Sequence, residues 1–416
     1  MGFYLNDVYR DTGTRFRVFV QSPVLEGFKE PETIWVSSPA GTLGPGPEDD
    51  RMVAILPIEK KAYGAKDLPP FLGRCAEAVW PDAEGHFDWI EPSDPGFKCT
   101  NMWGTVRRVL DVWEMYLGHS IDWHFKDMFP QLEMIPYVPW ENAHFGLGFM
   151  EFGEGKDDHG LQRPYALNFD VLAHEAGHAI LFSLVGMPKP HRMNTAYRGF
   201  HESASDCIAM ISALHFESFL DHALWVTKGN IYGENVMSRI GELSDTRQIR
   251  RASNGLKMRD VISLETPHIK ATGKELHQVA QPLTGAVFDI LAGWYTMELA
   301  ASGLVPEVHI RALRKAALAG KLNEFDQAPL VDAYATAHNG FRWALAEARD
   351  MMGIRLAHCW SRLDENDFSY AHVVETFLQV DWELTGDLYQ DEIKRIFAWR
   401  GIEARKGWKA QVAPWV

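Results

Sequence analysis

The clearest alternation of apolar and polar positions lies near the start of the chain. In TRFRVFV, Phe16, Val18 and Val20 recur at every second position, with Arg15 and Arg17 as polar neighbours, the period-two pattern of a strand with one buried face. TIWVSS and RMVAILPI are further strand candidates, and the Pro/Gly/acidic stretch SPAGTLGPGPEDD between them reads as loop. The period changes in NMWGTVRRVLDVWEMYLG (101 to 118). There Val106, Val109, Leu110, Val112, Trp113, Tyr116 and Leu117 recur at helical spacing, and Gly118 suits a C-cap. The aromatic- and glycine-rich segment from Pro136 to Gly160 reads as an edge strand followed by turns. From Asn168 nearly to the end the pattern is predominantly helical, closing with the amphipathic windows 369 to 384 and 389 to 402.

This pattern predicts an α+β protein. A strand-rich region spans residues 1 to 95, an α+β unit 96 to 186, and a helical lobe 187 to 416. No internal repeat or low-complexity tract interrupts it. The apolar stretch GAVFDILAGWYTMELAA carries Asp289 and Glu298, which makes it a core helix rather than a membrane span.

Composition narrows the function without choosing it. The 416 residues are 46% hydrophobic and 23% charged, enough to bury a large core without staples. A formal charge of −15 argues against a nucleic-acid or anionic-membrane partner. Cys75, Cys99, Cys207 and Cys359 form no C-x-x-C pair, so neither a disulfide framework nor a cysteine zinc site is expected. The first twenty residues hold no basic segment followed by an apolar one, so no secretory signal is read. A cytoplasmic location is the expectation, with export lacking a cleavable signal left open.

The chemistry enters in NFDVLAHEAGHAILFSLVG (168 to 186). His174 and His178 stand at i and i+4, so on a helix their imidazoles lie one turn apart on one face and can converge on one metal ion. Glu175, next to the first imidazole, can reach water at that ion as a general base. Val171, Leu172, Ile180, Leu181 and Phe182 allow the helix to be buried, and Gly186 and Pro188 end it. Two ordinary histidines beside a solvated glutamate are the competing reading of this motif alone. A second helical pattern, FHESASDCIAMISALHF, places Glu202 24 residues after His178, room for helix, turn and return. Catalytic zinc sites generally use three protein ligands, and Glu202 fits the third. Asp206, four residues on, shares its face and could bond the far nitrogen of a ligating imidazole. His309, His338 and His372 have no metal spacing.

DVLAHEAGHAI followed by HESASD resembles the thermolysin-like peptidases, the gluzincins, over roughly residues 100 to 290 and more loosely along the helical C-terminus. That family's pattern is D-V-x-x-H-E-x-x-H, then E-x-x-x-D about twenty residues later. The resemblance implies a thermolysin-like zincin fold, with one zinc ion on His174, His178 and Glu202 in a cleft between the two halves. Glu175 is then the base, with Asp206 and Asp170 standing behind the ligands. It further assigns Asn142 and Ala143 to an edge strand that holds substrate. His277, with His268 as rival, would donate to the oxyanion, and Arg250, with Arg251 as rival, would bind the substrate carbonyl.

The chain also departs from the family. Met193 stands where the family has its intermediate-supporting tyrosine, leaving Tyr197 as the nearby substitute. Ala213 replaces an acid of the family's calcium centre, so no paired calcium site is expected. The expected function is a zinc metallopeptidase acting on peptides or proteins, endopeptidase rather than exopeptidase. A zinc hydrolase of a non-peptide substrate and a catalytically idle, metal-stabilised interaction module are the alternatives.

Overall fold

The computed structural model describes residues 4–58, 68–157, 159–244, 247–264 and 270–411. Strands gather in the N-terminal half and helices in the C-terminal half, giving a mixed α+β architecture. A short helix α1 (Leu5–Tyr9) leads into the antiparallel pair β1 (Gly13–Val18) and β2 (Glu32–Pro39), with Phe16 opposite Ile34. Phe16, Val18, Ile34 and Val36 are all buried, as the alternation requires. Of RMVAILPI only β3 (Met52–Ala54) pairs as strand.

Helix α2 (Phe97–Leu117) is buried on nearly every side and ends at Gly118, whose φ of 76° only glycine adopts without strain. It joins the two halves. Trp103 stacks on Phe16 of β1 with centroids 5.2 Å apart, and Trp113 stacks on Trp360 of the C-terminal half at 4.8 Å.

The largest sheet has the order β3, β4 (Leu132–Ile135), β6 (Phe149–Phe152), β5 (Ala143–Gly146). Strand β5 runs antiparallel to β6 and forms the sheet's edge. The hairpin of β7 (Glu154–Lys156) and β8 (Gln162–Pro164) follows.

Helices α3 (Phe169–Leu184), α4 (Thr195–Ala213) and α5 (Glu217–Thr227) open the helical half. Among the described residues the helical run is interrupted once. An antiparallel hairpin, β9 (Arg239–Ser244) and β10 (Arg247–Arg251), interrupts it. Its sequence is polar and arginine-rich and lacks an apolar period of two, so packing rather than pattern makes it a strand pair.

Helix α6 (Gly273–Ala301) starts at a capping box. Thr272 Oγ1 accepts the Glu275 N–H at 3.3 Å, and Glu275 accepts the Thr272 N–H at 2.7 Å. The acid inside its apolar stretch, Asp289, is held by Arg400 at 2.6 Å. Helices α7 (Glu307–Leu318), α8 (Ala328–Trp360, broken at Ala337), α9 (Tyr370–Thr385) and α10 (Gln390–Arg400) complete the lobe. No described helix is long and apolar enough to cross a membrane. All four cysteines are free thiols, and only Cys75 is exposed.

Candidate metal centre

Two capped helices build the centre. Asn168 caps α3 by accepting the Val171 N–H, and Asn194 caps α4 by accepting the Tyr197 N–H at 2.7 Å. Leu172, Ala173, Ala176 and Ile180 bury the far side of α3. What sets its distance from α4 is Gly177, between the base and the second histidine. A Cβ there would lie 2.9 Å from the Ser205 Cα, so only glycine lets the helices approach this closely.

That approach carries Glu202 to the two imidazoles. His174 Nε2 is 3.3 Å from Glu202 Oε2, and His178 Nε2 is 3.9 Å from Oε1. One donor atom from each of His174, His178 and Glu202 lies within 4.8 Å of the others.

Each ligand is held from behind. Asp206 Oδ1 lies 2.9 Å from His174 Nδ1 and accepts its proton, which turns Nε2 toward Glu202. Arg250, on β10, donates from Nε to both Asp206 oxygens at 2.8 and 2.9 Å, and its Nη2 lies 3.0 Å from His174 Nδ1. Ser205 Oγ is 3.1 Å from His178 Nδ1. His277, in the second turn of α6, brings Nδ1 to 2.9 Å from Glu202 Oε2. Glu175 turns toward the sheet edge, where Oε2 accepts the Phe145 N–H of β5 at 2.8 Å.

Burial and charge oppose each other throughout. Burial pushes the His174 imidazole down, but Asp206 and Glu202 overcome it and hold the group up at about 9. Burial wins at His178, lowered to about 3. It also raises the Glu175 carboxyl. Burial would raise Glu202 and Asp206 too, yet the surrounding imidazoles and, for Asp206, Arg250 keep both ionised.

The donor set fits a divalent cation. With His174 neutral, as a ligating imidazole must be, the ionised Glu175, Glu202 and Asp206 bring three negative charges against the single guanidinium of Arg250. A dication would balance the remainder. Glu202 Oε2 is a buried acceptor with no aligned hydrogen-bond donor, although His174 and His277 lie at contact distance. Two imidazole nitrogens and a carboxylate suit zinc.

The remaining sequence candidates fall in different places. Ala143 opens the edge strand β5, and Asn142 precedes it exposed, its carbonyl accepting the Gly153 N–H at 2.8 Å. Of the paired rivals, Arg250 and His277 stand at the centre. Arg251 is exposed and pairs with Glu234 at 3.3 Å, and His268 lies outside the described residues. Tyr197 is buried, with its hydroxyl donated to the Gly186 carbonyl and 2.8 Å from His201 Nε2, so the structure does not bring it to the triad. Asp170 is buried one turn before His174, where it accepts from Gln21 Nε2 at 3.0 Å and the Gly241 N–H at 2.9 Å.

Three contributors were not read from the sequence. Ser205 shares a helix face with Glu202 at i+3, a spacing that could have exposed it. His201 stacks on His178 at 5.8 Å with rings 12° apart, and the Phe145 N–H holds Glu175. Neither leaves a mark on sequence spacing.

No protein-family model and no curated protein matches the chain. Among solved structures it is similar to the precursor of protealysin, a metalloproteinase from Serratia proteamaculans. The likeness has 13% identity and a TM-score of 0.45 over 83% of this chain and 90% of that one.

Proposed function

We propose that the protein is a zinc metallopeptidase of thermolysin-like zincin fold, with the ion held by His174, His178 and Glu202. The observation that carries the reading is the meeting of this triad with Glu175, itself tied to the edge strand β5. When bound, zinc supplies Lewis acidity that polarises a carbonyl and makes water a nucleophile near neutral pH.

The chain's own residues do the rest. Glu175 takes the proton from the attacking water and passes it to the departing amine. Burial raises its carboxyl toward the working range of a general base. His277 and Arg250 donate to the oxygen that gains charge as the carbonyl is attacked. A peptide laid antiparallel along β5 would gain main-chain hydrogen bonds and present its carbonyl to the centre, with Asn142 and Ala143 at the strand's start. An open strand edge suits an internal bond of a longer chain, which favours endopeptidase action.

The test is cleavage of a peptide library by zinc-loaded protein, beside Glu175→Gln. The variant is expected to keep zinc and lose hydrolysis by orders of magnitude. Equal turnover in the two proteins would remove Glu175 from the reaction.

A further inference from the structure

A groove of about 640 Å³ opens beside His277, along one face of α6 and against β10. Lys274, His277, Gln278 and Gln281 line it at i, i+3, i+4 and i+7, one stripe of the helix, with Arg250 and Arg251 opposite. Arg250 and His277 place its inner end at the metal centre, through their contacts with His174 and Glu202. In a chain of formal charge −15, no acidic side chain among the described residues lines this groove.

Two of its donors have no use inside the protein. Lys274 is exposed and has no acidic partner among the described residues. Gln281 is only 8% exposed, and its Nε2 has no acceptor. Among the described residues the Arg251 guanidinium pairs with Glu234, at the exposed rim. Cationic and amide donors facing one groove that no acidic side chain lines, with Lys274 and Gln281 unanswered, match an oxygen anion.

We infer that this groove binds a carboxylate of the substrate, within a residue or two of the bond that is cut. The inference rests on the peptidase reading. Helix geometry sets the reach. Lys274 lies ~4.5 Å along the axis from His277 and Gln281 ~6 Å on the other side, whereas an extended peptide advances ~3.3 Å per residue. A carboxylate seated between Lys274 and Arg251 therefore belongs to a residue close to the carbonyl under attack. Its source is either an Asp or Glu side chain or the α-carboxylate of the chain end, and the two are separable.

The experiment uses quenched fluorescent peptides sharing one cleavable core. One arm replaces Gln by Glu at each position flanking the cut, and the other compares a free with an amidated C-terminus. The readouts are kcat/KM for zinc-loaded wild-type protein and binding to zinc-loaded Glu175→Gln by fluorescence anisotropy. The carboxylate peptide is expected to be favoured ~5-fold or more in both, an advantage that shrinks as salt rises.

Charge reversal by Lys274→Glu should remove the preference, and Lys274→Arg should keep it. Lys274 sits exposed in the first turn of α6, where an acid complements the helix dipole, so the reversal does not threaten folding. A preference in the first arm alone identifies a side chain, and in the second alone a chain end. Equal rates and affinities in both arms, while Glu175-dependent cleavage persists, overturn the inference and leave the peptidase reading standing. Absence of any Glu175-dependent cleavage overturns both.

Discussion

Gly177 of α3 lies so close to Ser205 of α4 that a methyl group on it would meet the serine Cα at 2.9 Å. The neighbour is backbone and cannot swing aside as a long side chain would. Because Glu202 rides on the same helix one turn earlier, the spacing at Gly177 sets the distance from carboxylate to imidazoles.

Gly177→Val should therefore act twice. Overpacking at a helix–helix contact costs about 1–3 kcal/mol. Displacement of α4 also opens the triad, where ligand placement must hold to within ~0.5 Å, so zinc affinity should fall ~10-fold or more. Thermal unfolding and a chelator competition measure the two effects. Wild-type zinc affinity in this variant would show that the helix spacing does not set the site.

The pair Arg250–Asp206 makes a second, separable prediction. Asp206 is buried and Arg250 nearly so, and Asp206 answers the guanidinium while orienting His174. Asp206→Ala leaves a buried cation unpaired, a loss of about 3–5 kcal/mol. Loss of the His174 orientation should weaken zinc by ~10- to 100-fold. Removing Arg250 as well should restore part of the stability but none of the zinc affinity. Additive stability losses across the double-mutant cycle would refute the coupling.

How much of this was legible beforehand depends on what each contact leaves in the sequence. His174, Glu175 and His178 are local, and helix periodicity alone puts them on adjoining faces. Glu202 needed only the guess of a helical return, and α4 supplies it. Strand β1 and helix α2 were legible because each has one dominant period. The hairpin β9–β10 was not, since its strands are short and polar, yet it delivers Arg250 to Asp206. Ser205 and the Phe145 N–H were hidden for another reason. They act through a hydroxyl and a backbone group brought near by packing; the i+3 spacing from Glu202 is the one trace that Ser205 leaves, and the Phe145 N–H leaves none.

His277 separates metal binding from turnover. Its side chain is 39% exposed and contributes no donor atom to the three-residue cluster, although Nδ1 touches Glu202. His277→Ala should leave zinc content and melting temperature near wild type. Removing one oxyanion donor typically costs ~10²–10³ in kcat. A variant with lowered zinc content and proportionate activity would mark His277 as support for Glu202 instead.

Asp170 offers a test by pH. Its carboxyl is fully buried, and burial lifts it from the ordinary 3.8 to about 6, although the Gly241 N–H and the Gln21 amide pull the other way. A folded value above the unfolded one means that folding favours the protonated acid. The contribution is therefore most favourable below about pH 4 and is lost as pH rises through 6, where the ionised group costs about 3 kcal/mol. Both donors reach the same oxygen, Oδ2, so an amide oxygen can accept both bonds without carrying charge. Asp170→Asn should then exceed wild type in urea stability by up to ~3 kcal/mol at pH 7.5, and the difference should vanish at pH 4. Chelator is kept present in both series, so that a cation beside Asp206 does not alter the field. A variant less stable than wild type at pH 7.5 would mean that the charge of Asp170, answered by Arg250, contributes more than its burial costs.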